Sequence, residues 1–320
     1  MFSAALALAG AFVYGAADFF GGLAAKRLRS IVVTAVAAAS GLVMLSVALP
    51  FIGGEWTAAD IAWGALSGVT GVVAIVLLYA CLAIGPMSIL SPLTAVVSAI
   101  APMLWGLLVD GETLSPVGYA GLGVAVVAVV LVGFIPGQKV VRPSTRGLLM
   151  AVGSGLAIGA FLIIIDQTSD ESGLVPLIVN RATNGVLTLA IIGVLVIRAV
   201  SAGRSAASVL DVSGAQIGAT PTGHADLEHA VAATPTPRVA GSRVRAWWLA
   251  ITCGVVDAAA NTLLLLALRT GDLSIVSALT ALYPAGTILL AAIVLRERVA
   301  GVQWIGLALA LAAGGMLAVA

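Results

Sequence analysis

Charge is what this sequence has least of. Only 9% of the 320 residues are charged, whereas a soluble domain contains about 25% charged residues. Apolar residues make up 61% of the chain, which excludes a soluble globular fold. The 15 basic and 14 acidic residues nearly cancel to a net charge of +1, so nucleic acid is not expected as a partner.

Cysteine and histidine are almost absent as well. The two cysteines, Cys81 and Cys253, both lie in apolar runs, which argues against a disulfide framework. Both histidines, His224 and His229, lie in a segment at 199–244 that is rich in Ala, Ser, Thr, Gly and Pro. This composition predicts a disordered loop, without the rigid frame and further ligands of a metal site. No metal and no cofactor are therefore expected.

Two sequence signals are missing. No GxxxxGK[ST] phosphate loop occurs, which argues against ATP as an energy source. The apolar stretch MFSAALALAGAFVYGAADFF has no basic residue before it, and Lys26, Arg27 and Arg29 follow it. A cleaved signal peptide has the opposite order, so this stretch is expected to remain as a first transmembrane helix.

Long apolar runs are what the sequence does contain. Each is near the length that a bilayer core of about 30 Å requires of a helix, and open strands cannot satisfy their backbone in lipid. The fold class is therefore predicted as an all-α polytopic membrane protein. Prolines inside the fourth and ninth runs predict kinks there, at Pro92, Pro102 and Pro284. The ten runs are 3–25, 30–52, 60–83, 87–109, 115–135, 146–165, 174–198, 246–268, 274–295 and 300–319.

An internal repeat divides the ten runs into two sets of five. LLYACLAIGPMSILSPLTAVVSA (77–99) and LLLLALRTGDLSIVSALTALYPA (263–285) are identical at 11 of 23 positions without a gap. The match continues beyond this stretch and pairs Glu112 with Glu297. The predicted units are a first five-helix repeat at 1–136, a linker at 137–145 and a second repeat at 146–320 that contains the disordered loop.

The odd number of helices per repeat predicts that the two copies enter the membrane with opposite topology. Equivalent loops have exchanged their charge, as the positive-inside rule requires of an inverted repeat. The loop after the first run carries Lys26, Arg27 and Arg29, and its counterpart after the sixth carries Asp166, Asp170 and Glu171. Odd-numbered loops hold 13 of the 15 basic residues. These loops are therefore expected in the cytoplasm, with both termini outside.

Two turn motifs carry a resemblance to a known family. DGETLSPVGYAGL (110–122) and LRERVAGVQWIGL (295–307), together with two five-helix halves, resemble the EamA-type drug/metabolite transporter superfamily. The resemblance implies a multi-pass protein of the cell membrane that transports small metabolites, most often outward. It supplies no fixed catalytic residues. Ten-helix members generally have both termini in the cytoplasm, opposite to the orientation that the charge count predicts.

Charged side chains within the apolar runs are the candidate site. Placing a charge at the centre of a bilayer costs at least about 2.5 kcal/mol, so such residues are functional hypotheses by default. Asp257 lies near the middle of the eighth run, and Asp18 and Arg181 each lie about five residues from the middle of theirs. Arg181 is expected to reach Asp257. Asp18 and Arg181 are expected to lie about 15 Å apart in depth, too far to pair directly.

Three asparagines extend this candidate site. Asn261 shares a helix face with Asp257, and Asn180 and Asn184 flank Arg181 in a polar face suited to a carboxylate or phosphate. Asp257 can bind a proton in one access state and release it in another, or bind the ammonium group of a substrate. The structural alternative is that these groups hold helices together, as interhelical polar contacts in membranes commonly do.

The predicted function is secondary-active transport, with alternating access between two inverted halves around a midplane site. The expected cargo is a small amino-acid-like or drug-like metabolite, the expected direction is export, and coupling to a proton gradient is the favoured energy source. The partners are the substrate, the lipid bilayer and a coupling proton, in a monomer or homodimer. The alternatives are an importer or facilitator, a channel and, least favoured, an intramembrane enzyme, since no histidine or paired acidic motif lies in any run.

Overall fold

The computed structural model describes residues 1–25, 27–84, 87–132, 144–210, 243–295 and 300–320. Every element that these residues form is a helix. Eight spans are long and apolar enough to cross a membrane, and two further apolar helices at Leu93–Leu108 and Pro116–Val132 are shorter. The predicted all-α polytopic membrane fold is confirmed.

The first five predicted spans each correspond to one helix. Each of these helices carries only a few polar residues, as expected of helices that cross a bilayer. α4 stays helical through both Pro92 and Pro102. The helices are α1 (Phe2–Ala25), α2 (Ser30–Ile52), α3 (Ala58–Ile84), α4 (Met87–Leu108) and α5 (Pro116–Val132).

The second set of five contains one divided span. Its ninth span breaks at residues 281–282 into two short helices, and a π-helical segment, Ala291–Leu295, follows the second. Pro284 lies in the first turn of the second short helix, where its missing N–H costs no hydrogen bond. The helices are α6 (Thr145–Asp166), α7 (Val175–Ser201), α8 (Arg243–Leu268), α9 (Leu273–Thr280), α10 (Tyr283–Leu290) and α11 (Gly301–Ala318).

Contacts between the two sets of helices occur in matching pairs: where two helices touch, their counterparts in the opposite sets touch as well. α1 packs on α8 as α3 packs on α6, and α3 packs on α7 as α2 packs on α8. The second and seventh spans contact each other, as do the fifth and tenth, α5 and α11. Two copies of one unit packed face to face would give this pattern. The repeat limits at 136 and 146 stay a prediction.

The start of the predicted disordered loop is structured, so that part of the prediction was wrong. α7 continues to Ser201, and Ala206–Leu210 forms a short 3-10 helix. Val209 is buried, and the backbone N–H of Arg29 donates to the Leu210 carbonyl at 3.3 Å. Val209 and Leu210 are apolar and can pack on the bundle, although the composition of the whole 199–244 segment is typical of disorder. Residues 211–242, with both histidines, and residues 137–143 of the linker lie outside the described residues.

The loops after the even-numbered spans lie together on one side of the bundle. We call this side the even-loop face and define it by residues 53–57, 109–115, 167–174 and 269–272. Both chain termini belong to it, because an added Cβ on Gly271 would meet Ser3 and one on Gly118 would meet Ala320. The opposite side is the odd-loop face.

Candidate functional site

The predicted Arg181–Asp257 ion pair is present in the centre of the bundle. Arg181 Nη2 on α7 lies 2.5 Å from Asp257 Oδ2 on α8, and neither side chain has any exposed surface. The arginine reaches α8 past α2, where Gly41 lies between them. A Cβ added to Gly41 would lie 2.9 Å from the Gly254 carbonyl oxygen and 3.6 Å from Arg181 Cδ. Glycine at position 41 leaves room for both the Gly254 carbonyl oxygen and the Arg181 side chain.

Asn261 extends the ion pair along α8. Its amide nitrogen donates to the Asp257 carbonyl oxygen at 2.8 Å and to Asp257 Oδ2 at 3.2 Å. Because an ionised carboxylate only accepts hydrogen bonds, Asn261 must turn its NH₂ group toward Asp257. Its carbonyl oxygen then faces α1, where the Tyr14 hydroxyl donates to it at 2.7 Å. The result is a fully buried polar chain from α1 through α8 to α7.

Tyr14 is the member of this chain that the sequence did not identify. It has no exposed surface although it carries a hydroxyl. The sequence could have indicated it by its position, because Tyr14 lies one helical turn before Asp18 within an apolar run. A buried tyrosine hydroxyl needs a partner, which favours a second polar group near it.

Asp18 belongs to the same electrostatic cluster. It is fully buried on α1, one helical turn after Tyr14. The cluster thus contains two carboxylates and one guanidinium. When all three are ionised, these groups carry one excess negative charge in a medium of low dielectric constant, where charges interact strongly.

Asn180 and Asn184 flank Arg181 on α7, and both are buried. Asn180 faces α3, where its amide donates to Ser67 Oγ at 2.8 Å. The α3–α7 contact is close, since a Cβ on Gly68 would lie 2.8 Å from the Asn180 carbonyl oxygen. Asn180 therefore bonds to a different helix from the one that Arg181 reaches. This hydrogen bond joins α7 to α3, beside the polar face that the sequence predicts.

Arg181 retains hydrogen-bonding capacity. Among the residues that the structure describes, no acceptor bonds to its Nε or Nη1, and none donates to Asn180 Oδ1. A buried guanidinium edge without acceptors is unfavourable unless something binds it. The described residues contain no cluster of three or more His, Cys, Asp or Glu side chains that could hold a metal ion. The arrangement is suited to a small charged or zwitterionic molecule.

Comparisons with known proteins give one family match and a set of similar solved structures. Residues 231–318 match the EamA-like transporter family. No curated protein matches the chain. Among solved structures, 29 chains match, and one described only as a crystal structure of a protein is 15% identical, covers 97% of this chain and 98% of its own, and superposes with a TM-score of 0.60. At this identity the likeness shows the fold alone.

Proposed function

We propose that the chain is a secondary-active exporter of a small amino-acid-like or drug-like metabolite, which the match of residues 231–318 to the EamA-like transporter family supports. The family match and the apolar helices support a multi-pass membrane transporter. The observation that carries the proposal is the fully buried Arg181–Asp257 pair, bonded to Asn261. Substrate would bind there, with access alternating between the two faces.

The chemistry of the pair supports a substrate with charge of both signs. An ammonium group can take the place of Arg181 beside Asp257, and a carboxylate can take the place of Asp257 beside Arg181. A zwitterion that separates the pair would satisfy both partners at once. Charge-assisted hydrogen bonds of this kind are about twice as strong as neutral ones, which offsets the loss of the original ion pair.

Proton coupling is proposed from the charge of the cluster. Asp18 adds a second carboxylate near the Arg181–Asp257 pair, so a proton or a cationic substrate group can neutralise the excess charge. The absence of a GxxxxGK[ST] motif from the sequence leaves ion or substrate gradients as the favoured energy source. We place the even-loop face outside the cell, because 13 of the 15 basic residues lie in the opposite loops.

A structural role for the pair is the competing interpretation. Interhelical polar contacts in membranes average well under about 1 kcal/mol and commonly serve packing alone. Transport measurements on a stable double variant separate the two interpretations, because a purely structural pair can be replaced at both positions by apolar residues without loss of substrate selectivity or rate.

Extracellular metabolite profiling tests the proposal. Cells producing wild type, Asp257→Asn, Asp110→Asn or no transporter are compared at equal membrane abundance. Asp110 is an exposed loop residue, so its variant controls for loss of a carboxylate. We expect one class of metabolite to accumulate outside with wild type and Asp110→Asn only. Equal export by Asp257→Asn would refute the role of Asp257. Depletion of that class from the medium would indicate import, and passive flow of ions would indicate a channel.

A further inference from the structure

Polar contacts join the two halves of the bundle across the even-loop face. Glu112 on the loop before α5 makes the first of them. Its Oε1 accepts from the backbone N–H of Leu273 at 2.6 Å, and its Oε2 accepts from that of Ser274 at 3.0 Å. These are unpaired donors at the start of α9, where a carboxylate is also favoured by the helix dipole.

The chain leaves space for this contact at Gly106 on α4. A Cβ added to Gly106 would lie 2.5 Å from Glu112 Oε2, so a larger residue would displace the carboxylate. Glu112 is thereby held by its own half of the protein while it binds the other half.

Asp60, at the start of α3, makes the second contact. Its Oδ1 accepts from the Ser169 N–H at 2.8 Å, and its Oδ2 accepts from the Ser169 hydroxyl at 2.8 Å. Thr57 donates to the same carboxylate at 2.5 Å. The Asp60 side chain is nearly fully buried. Both of its oxygens are thus used, and one of the two partners belongs to the other half of the chain.

Arg269 and two glycine-containing loops complete the contacts. Arg269 donates to the Thr168 carbonyl oxygen, to Thr168 Oγ1 at 2.6 Å and to Ser172 Oγ at 3.1 Å. The Leu174 N–H donates to the Gly53 carbonyl at 3.2 Å. The backbones approach so closely that a Cβ on Gly173 would overlap the Gly53 oxygen.

We propose that the contacts of Glu112, Asp60 and Arg269, which we call the even-face latch, form a gate. This gate closes the site from the even-loop face, and its contacts break once in each transport cycle. This inference rests on the proposed transport function. Glu112 and Asp60 are the members that join the two halves. Arg269 holds the 167–174 loop in the position in which Asp60 binds it.

Two of the latched helices lead to the site. α3, which begins beside Asp60, carries Ser67, the partner of Asn180 next to Arg181. α9, which Glu112 caps, leads into α10, where the Thr287 hydroxyl donates to the Gly15 carbonyl at 3.1 Å beside Tyr14. Release of the latch would therefore move the elements that position both ends of the buried polar chain.

Thiol labelling tests the latch without knowledge of the substrate. The reporter is Thr280→Cys, at the buried end of α9, in a background with Cys81→Ala and Cys253→Ala. A membrane-impermeant maleimide is added from each side in turn, to the reporter protein and to versions with Glu112→Gln, Asp60→Asn or Asp110→Asn. We expect Glu112→Gln and Asp60→Asn to raise the labelling rate at least tenfold from the even-loop face only. Asp110→Asn should leave the rate unchanged.

An unchanged labelling rate, or an equal rise from both faces, would overturn the gate, since the latter indicates general loosening. A cross-link keeps the test decisive if neutralised variants fail to fold. Asp60→Cys with Ser169→Cys should form a disulfide that abolishes transport until reductant is added. Full transport with the disulfide formed would also overturn the gate. If labelling behaves as expected while no export is found, the latch stands and the proposed function fails.

Discussion

Replacing Arg181 or Asp257 alone should destabilise the protein far more than replacing both. In the structure Asp257 Oδ2 is 2.5 Å from Arg181 Nη2, and neither side chain is exposed. Arg181→Met leaves a buried carboxylate without its arginine partner, and Asp257→Leu leaves a buried guanidinium without its carboxylate partner. The double variant leaves neither charge.

The expected magnitudes follow from burial. Breaking a buried ion pair by removing one partner costs about 3–5 kcal/mol, whereas replacing both partners with apolar residues of similar volume is neutral or stabilising by about 1–4 kcal/mol. Asn261 tolerates the double replacement, because its amide still donates to the Asp257 backbone oxygen at 2.8 Å. We therefore expect both single variants to be unstable and the double variant to be near wild type.

Thermal unfolding in one detergent, measured on wild type, both single variants and the double variant, gives the coupling energy of the pair. Asp110→Asn is the control for loss of an exposed carboxylate. Single variants within about 1 kcal/mol of wild type and no coupling would refute the reasoning, since charges that are easily separated are not buried as a pair. Transport by the double variant then decides the role: a stable protein without export indicates function, and full export indicates packing.

Two further predictions concern neighbouring positions. Tyr14→Phe removes the donor to Asn261 Oδ1, and a buried acceptor left unsatisfied costs about 1–3 kcal/mol; the melting temperature should fall, and less so in an Asn261→Leu background. Gly173 and Gly111 have φ of 47° and 73°, but only Gly173 faces another backbone within 4 Å. Both alanine variants therefore carry backbone strain of about 1 kcal/mol or more. Only Gly173→Ala should also raise the rate at which the Thr280→Cys reporter is labelled from the even-loop face. Equal labelling rates in the two variants would contradict the close approach of the Gly173 and Gly53 backbones.

The number of spans and their helical class followed from the sequence because a helix that crosses a bilayer needs about 20 apolar residues. The ninth span shows the limit of that signal. Its apolar run is continuous, yet the chain forms α9, α10 and a π segment. Hydropathy identifies the residues that can lie in a bilayer, but it does not indicate where a helix breaks. The break depends on contacts with neighbouring helices, such as the contact with Gly15 on α1. A Cβ there would lie 2.6 Å from Thr287 N.

Part of the candidate site could be predicted because charged residues are rare in apolar runs and therefore stand out in the sequence. Arg181 and Asp257 were recognised for that reason, and their contact is present. Asn180 shows what a single helix cannot reveal, since adjacent residues point about 100° apart and meet different neighbours. Tyr14 was missed because a tyrosine in an apolar run is more often a packing residue. Its partner on α8 is 247 residues away in sequence.

The charge of the buried cluster has an electrical consequence. Asp18, Asp257 and Arg181, all ionised, form a negatively charged centre within the membrane field. Each elementary charge moved through that field gains or loses about 2.3 kcal/mol per 100 mV. Under the proposed alternating access, the resting potential would bias which face the empty protein opens to, whereas a form neutralised by a proton or cation would change its open face without that bias. Voltage steps applied to substrate-free protein in a planar bilayer should then produce transient currents that Asp257→Asn alters.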